Sequence, residues 1–139
     1  MSGDTNGKRD IFWRDRQMGI TRIVSVSSSG VSGNYHSYTP AISADGRYVV
    51  FQSGASNLVS VDTNAFYDIF VHDMQTDITT RVSVSSSGTE GNNNSYHPAI
   101  SANGRYVAFD SGASNLVNGD TGSVDVFVRD TQTKRLSVN

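Results

Sequence analysis

The sequence contains no cysteine, which excludes a disulfide framework, thiolate metal ligands and a thiol nucleophile. It has no long apolar run, so no segment is expected to span a membrane, and residues 1–8 are too polar to form the core of a signal peptide. Charge is nearly balanced, with 11 basic and 13 acidic side chains and a formal net charge of −2. Because no positive field surrounds the chain, a nucleic acid is not an expected partner.

The sequence does contain an internal repeat with a period of 58 residues. When residues 10–66 are placed on residues 68–124 without a gap, 37 of the 57 positions are identical. A fixed period of this kind indicates stacked copies of one supersecondary unit. The register is interrupted near Asp125, where one residue is lost, and near Lys134, where the loop before the last strand is expected to be shorter.

Within one period, every local signal predicts a β-strand. Three apolar segments lie at 40–43, 48–51 and 68–72, and a fourth segment at 80–85 alternates valine with serine. This alternation predicts an outer strand with valine inside and serine in solvent, whereas the middle segments are apolar on both faces. Asp45 and Gly46 predict a tight type I′ hairpin. Four short antiparallel strands per period, with the inner ones buried on both sides, are typical of a propeller blade.

Two segments carry a family resemblance. Residues 40–51 (PAISADGRYVVF) and 98–109 (PAISANGRYVAF) resemble the repeat core of the TolB-type β-propellers, and residues 68–73 and 125–130 resemble the third strand of that repeat. The resemblance implies an all-β fold of four-stranded antiparallel blades, a bacterial origin and a location outside the cytoplasm. For function it implies a docking platform, a substrate-gating cap of a peptidase or an envelope scaffold, rather than one activity.

The predicted strands form a single propeller segment of about two and a half blades. A half blade covers residues 10–27, and full blades cover 40–85 and 98–138. Closed propellers typically need about four to eight blades, and an open arc would leave apolar faces in water. The chain is therefore expected to be a piece of a longer propeller or to close a ring with further copies of itself, whereas an isolated arc is the least expected alternative.

Among homo-oligomers a dimer is favoured, because two copies supply about five blades' worth of strands. Both half blades would be of the same type, however, so they cannot complete one another, and the dimer needs rearranged pairing or edge-to-edge contact. Phe12 and Trp13 in the half blade are the predicted interface residues. A packing role inside the chain suits Trp13 equally well.

Tyrosines and amides precede each inner strand and form the best candidate ligand surface. Tyr38 and Tyr96 repeat, and His97 stands at the start of an inner strand, where side chains line the mouth of a propeller channel. Tyrosine rings beside amides suit a sugar or peptide surface, although both tyrosines also suit packing beside the following prolines. The three histidines do not repeat, so we expect all of them to be surface or loop residues.

Asp62, Asn64 and Asp68 place oxygen side chains at the first, third and seventh positions of an acidic loop. Calcium favours such oxygens, but the loop lacks a central glycine and a terminal glutamate. The same Asp and Asn residues are better explained as caps of backbone amides in turns. No cofactor is otherwise expected. The serine-rich turns contain no nucleophile elbow, so we expect no catalysis.

The sequence therefore predicts a non-catalytic docking scaffold for a protein or a glycan. The alternatives are the propeller portion of a larger, peptidase-type enzyme and a calcium-dependent binding module.

Overall fold

The computed structural model describes residues 4–138, and this range contains only β-strands, turns and loops. No helix long and apolar enough to cross a membrane occurs among these residues. The ten strands in this range are β1 (Phe12–Asp15), β2 (Ile20–Ile23), β3 (Ser37–Ile42), β4 (Tyr48–Ser53), β5 (Asp68–Asp73), β6 (Ile78–Arg81), β7 (Ser95–Ile100), β8 (Tyr106–Ser111), β9 (Asp125–Asp130) and β10 (Leu136–Val138).

The strands form three separate antiparallel sheets in chain order. We call the β1–β2 hairpin the first unit, the four-stranded sheet β3–β4–β5–β6 the middle unit, and the four-stranded sheet β7–β8–β9–β10 the last unit. Every strand pairs with its neighbour in sequence, as short connections favour. The predicted all-β fold with four-stranded antiparallel sheets is confirmed.

The units pack face to face. In the middle unit one face carries Phe51 and Phe70, whose rings stack at 5.9 Å, and we call it the phenylalanine face. It packs against Ile11 and Val24 of the first unit. Because adjacent residues of a strand point to opposite sides, Ile69 lies on the other face, which we call the aliphatic face.

The same contact occurs a second time. Phe109 and Phe127 form the phenylalanine face of the last unit, with ring centroids 5.8 Å apart. They share a buried cluster with Val50, Ile69 and Val71 on the aliphatic face of the middle unit. The middle and last units thus each place their phenylalanine face on the aliphatic face of the unit before them.

Equivalent hydrogen bonds join the units at each seam. The backbone N–H of Ser37 donates to the carbonyl of Arg9, and that of Ser95 donates to the carbonyl of Tyr67, both at 2.8 Å. At the outer strands, the N–H of Thr79 donates to Ser28 Oγ and that of Leu136 donates to Ser86 Oγ, both at 3.0 Å. The serine-rich turns are therefore structural clasps between units.

The fourth strand of the middle unit differs from its sequence-based prediction. Strand β6 ends at Arg81. Residues 82–85, which were predicted to alternate between core and solvent, are all buried. Ser83 Oγ accepts a hydrogen bond from the N–H of Ile69 at 3.0 Å and donates to Asp68 Oδ1 at 2.6 Å. The alternation rule fails here because a hydroxyl with two partners can be buried where a solvated one was expected.

Two turns also differ from their predictions. A type I′ turn needs positive φ at both central residues, but only Gly46 (φ 73°) is left-handed, and its N–H donates to Ser43 O at 2.9 Å. The loop before β10 is not shortened. Asp130 N–H donates to Arg135 O, which matches the pairing of Asp73 with Ile78, so the two loops have equal length.

Candidate functional site

The start of each inner strand has an irregular backbone. The register of β3 against β4 shifts between Tyr38 and Ala41, and that of β7 against β8 shifts between Tyr96 and Ala99. Within each shift the residue before proline is left-handed, with φ of 49° at Thr39 and 50° at His97. Such φ values are uncommon in residues other than glycine, and residues before proline normally adopt extended backbone. The bulge places the tyrosine of each unit at the same end of its sheet.

At this end Tyr38, Tyr67 and Tyr96 form a row of rings across the seam between the middle and last units. The centroids of Tyr38 and Tyr67 lie 6.2 Å apart, and those of Tyr67 and Tyr96 lie 5.9 Å apart. Tyr35 approaches Tyr67 at 6.2 Å, and His97 follows Tyr96 at 6.1 Å. We call these five residues the aromatic row.

Backbone anchors hold the row in place. The N–H of Tyr67 donates to Asn94 Oδ1 at 2.8 Å, while its carbonyl accepts from Ser95. In the equivalent place of the preceding unit, the N–H of Arg9 donates to His36 Nδ1 at 2.9 Å. His36 therefore has the structural role of Asn94, because its Nδ1 accepts a backbone hydrogen bond as the side-chain oxygen of Asn94 does.

The two ends of the row differ in charge. The cations of Lys8 and Arg9 lie over the rings of Tyr35 and Tyr38, at 5.8 and 5.5 Å from the centroids. At the other end, His97 Nδ1 lies 2.8 Å from Asp110 Oδ1. Between the ends, burial and the neighbouring phenol of Tyr38 raise the pKa of Tyr67 above its ordinary value, which keeps this phenol neutral.

The acidic loop folds around an arginine. Arg81 Nη1 lies 3.3 Å from Asp62, 3.2 Å from Asp68 and 3.2 Å from Glu90. The side-chain oxygen of Asn64 accepts from Phe66 N–H, so it is turned away from the carboxylates. A guanidinium thus occupies the place that a cation would need, and no group of three or more metal-ligating side chains capable of holding a metal ion occurs within residues 4–138.

Burial raises the pKa of two carboxyl groups in this acidic cluster. Burial and the adjacent Asp68 raise the pKa of Asp62 to about 6, although Arg81 opposes the shift. Burial also raises the pKa of Asp68, against hydrogen bonds from Ser83 and Asn64. Three carboxylates share one guanidinium, so the cluster carries more negative charge than its cation can balance.

The predicted interface residues point in opposite directions. Trp13 is half-buried inside the chain, and its Nε1 donates to Gly46 O at 3.1 Å. In the next seam the Tyr48 ring covers Gly104 at closer range, so Trp13 stands in for a tyrosine that the two-stranded first unit lacks. Phe12 lies on the other side of β1 and is 40 % exposed.

His72 corrects the expectation that all three histidines lie at the surface or in loops. It is only 1 % exposed, and its Nδ1 lies 2.9 Å from Thr79 Oγ1. Its Nε2 is 3.8 Å from Asp77 Oδ1 and has no hydrogen-bond partner among the described residues. Burial lowers the pKa of His72, so it is a neutral core histidine.

The structure brings the predicted Tyr38, Tyr96 and His97 into one row, and it brings Asp62, Asn64 and Asp68 into one cluster. Sequence reasoning missed Tyr67, which joins the two tyrosines, because its counterpart in the preceding unit is Arg9. In comparisons with known proteins, no protein-family model matches the chain and no curated protein matches it.

Proposed function

We propose that this chain is a segment of a TolB-type β-propeller and acts as a non-catalytic docking scaffold for a protein or a glycan. Support for the propeller comes from the 58-residue period and from four-stranded antiparallel sheets that follow one another face to face. The TolB assignment depends on the resemblance of residues 40–51 and 98–109 to that repeat core. The same resemblance favours a bacterial, extracytoplasmic origin.

The aromatic row is the observation that carries the docking function. Tyrosine offers an apolar ring face and a hydroxyl while losing little rotamer entropy on binding, which suits contact with sugar rings or peptide side chains. Tyr67 is held by its backbone anchors and flanked by rings, so little of its remaining freedom is lost when a ligand docks.

The charge at the two ends gives the row a direction. A ligand lying along it would meet Lys8 and Arg9 at one end and Asp110 at the other. Complementary charges of this kind fix orientation and register more than they add affinity.

The polar groups near the row favour binding over catalysis. His97 is paired with Asp110, and no serine hydroxyl in residues 4–138 forms a hydrogen bond with this imidazole. The peptidase-associated alternative has no supporting observation, and the position of Arg81 disfavours the calcium-dependent one.

The test is to probe glycan and peptide arrays with the full chain and to measure any hit by calorimetry. We expect Tyr67→Ala to weaken binding about tenfold or more, because it removes the central ring. Tyr67→Phe should retain most of the affinity if stacking dominates.

Val61→Ala is the control, because that side chain is 61 % exposed in a loop outside the row. Full affinity of Tyr67→Ala, or the absence of any ligand on both arrays, would contradict the docking proposal.

A further inference from the structure

We propose that this chain associates head to tail with a second copy of itself, the phenylalanine face of the first unit docking on the aliphatic face of the last unit. This inference goes beyond the docking function of the aromatic row and does not depend on it. It also proposes a face-to-face contact in place of the rearranged pairing or edge-to-edge contact that the sequence-based dimer would need.

The first unit exposes a phenylalanine that is buried in both other units. Phe70 and Phe127 occupy the same position of the repeat as Phe12, and each is 0 % exposed, whereas Phe12 is 40 % exposed. On the outer side the strand pairing is equivalent, since Phe12 pairs with Ile23 as Phe70 pairs with Arg81. On the inner side Phe70 pairs with Phe51 and Phe127 with Phe109, whereas β1 has no inner strand in the part of the chain that the structure describes. Within residues 4–138, Phe12 has neither an inner strand beside it nor a unit packed over it, so its ring is open on the phenylalanine face.

The last unit exposes the opposite face. Val126 occupies the position of Ile69 in the repeat, and Ile69 is 0 % exposed beneath the last unit. Val126 is 49 % exposed, because no further unit covers it. The two open faces are thus the two halves of a contact that already occurs twice within the chain.

A polar residue gives a second, independent indication that the face around Phe12 can take a neighbouring unit. Arg129 is buried, and its Nη1 donates to the carbonyls of Val84 and Ser85 in the preceding unit, both at 3.0 Å. Arg14 occupies the same position of the repeat as Arg129, but it is exposed, and among residues 4–138 its side chain donates to Thr21 of its own hairpin and not to another unit. The face around Phe12 therefore carries an exposed cation as well as an apolar anchor.

A second copy is the occupant that fits best, because every copy carries both complementary faces. The contact is heterologous: Phe12 of one copy meets the face of Val126 on the next, never its own equivalent. Such contacts close a ring when the rotation between copies allows it and otherwise extend as a filament. The β1–β2 hairpin has two strands, so it would cover the outer strands β9 and β10 of the last unit.

The test is to measure mass by sedimentation over a range of concentrations for the full chain and for two variants, Phe12→Glu and Val126→Glu. We expect the unaltered chain to self-associate and each variant to do so at least tenfold more weakly. An equimolar mixture of the two variants should associate again, because Phe12 of one and Val126 of the other form one intact contact.

Val61→Glu is the matched control, since it places the same charge on an exposed valine outside both faces. It should sediment like the unaltered chain, and circular dichroism should show that all three variants keep their strands. A discrete oligomer mass would support the proposal with a closed ring. A mass that keeps growing with concentration would support it with a filament.

A monomeric unaltered chain, or a mixture that fails to associate, would overturn the proposal. Ligand binding by the aromatic row is measured separately with Tyr67→Ala, so failure of one proposal leaves the other distinguishable.

Discussion

The middle and last units share one four-stranded pattern and the first unit repeats two of its strands, but only the middle unit has both faces covered. Strand β5 is buried at Asp68, Ile69, Phe70, Val71 and His72, whereas β1 and β9 alternate between covered and open residues. Strands β5 and β9 have nearly the same sequence and both lie inside four-stranded sheets, so the difference between them shows that the neighbouring unit decides which face is buried. The hydrophobic effect then stabilises each strand in proportion to the number of neighbours it has.

The largest expected effect comes from truncating the same phenylalanine in a covered and in an open position. Phe70→Ala should lower the free energy of unfolding by about 3–5 kcal/mol, because it leaves a cavity between two units. Phe12→Ala should cost less than about 1 kcal/mol when measured on the monomer, since the ring is partly in water already. Urea denaturation of both variants measures the two losses of unfolding free energy. Equal losses would contradict the difference between covered and open positions.

A smaller difference in stability is expected between glycine substitutions at the contact of the first and middle units and at the contact of the middle and last units. Gly46 and Gly104 both have φ of 73°, so alanine at either site has the same backbone strain of about 1 kcal/mol. At Gly104 an added Cβ would overlap the Tyr48 ring, whereas at Gly46 it would lie 3.9 Å from Trp13 Nε1. Gly104→Ala should therefore destabilise by about 1–3 kcal/mol more than Gly46→Ala.

Denaturation of Gly104→Ala in a Tyr48→Ala background supplies the control for this pair. If the ring is the cause, the excess cost disappears there. An unchanged excess would mean that the seam differs for another reason.

The smallest expected effect concerns the acidic cluster of the middle unit. In the first unit Ile23 stands where Arg81 stands here, so the charged arrangement is not repeated. The pKa of Asp62 is raised from 3.8 to about 6, so the folded state binds a proton that the unfolded chain has lost between these values. This carboxyl therefore makes the chain less stable as pH rises from about 4 to 6.

Asp62→Asn should remove that decline and stabilise the chain at pH 7 by about 1–2 kcal/mol, after allowance for solvent screening. Denaturation curves of both proteins at a series of pH values measure the difference. His72 contributes equally to both curves and cancels. An unchanged pH dependence in the variant would show that Asp62 is not perturbed by its burial.

Much of the fold could be predicted because its main signal, the period, is written in consecutive residues. The apolar segments and the four-stranded units follow from local pattern alone. The burial of Ser83 and His72 could not be predicted in this way. Each depends on a hydrogen-bond partner, the carboxylate of Asp68 for Ser83 and the hydroxyl of Thr79 for His72, that becomes adjacent only after the strands have paired.

In the aromatic row, too, some residues could be predicted from local sequence and others depend on contacts between units. Tyr38 and Tyr96 could be found because they repeat, and His97 because it stands beside Pro98 at the start of an inner strand. Tyr67 could be found only by asking which residue lies between two repeats, since the seam that positions it joins residues of different units. The arginine inside the acidic loop was missed because its sequence distance hides the ion pairs with Asp62 and Glu90.

The one-way order of the faces has a consequence for the length of the chain. Because every unit has an unlike front and back, removing or inserting one whole 58-residue period leaves the two termini of the stack chemically unchanged. Duplication of a unit would therefore require no new adhesive surface, and the number of units could vary while the joints stay the same.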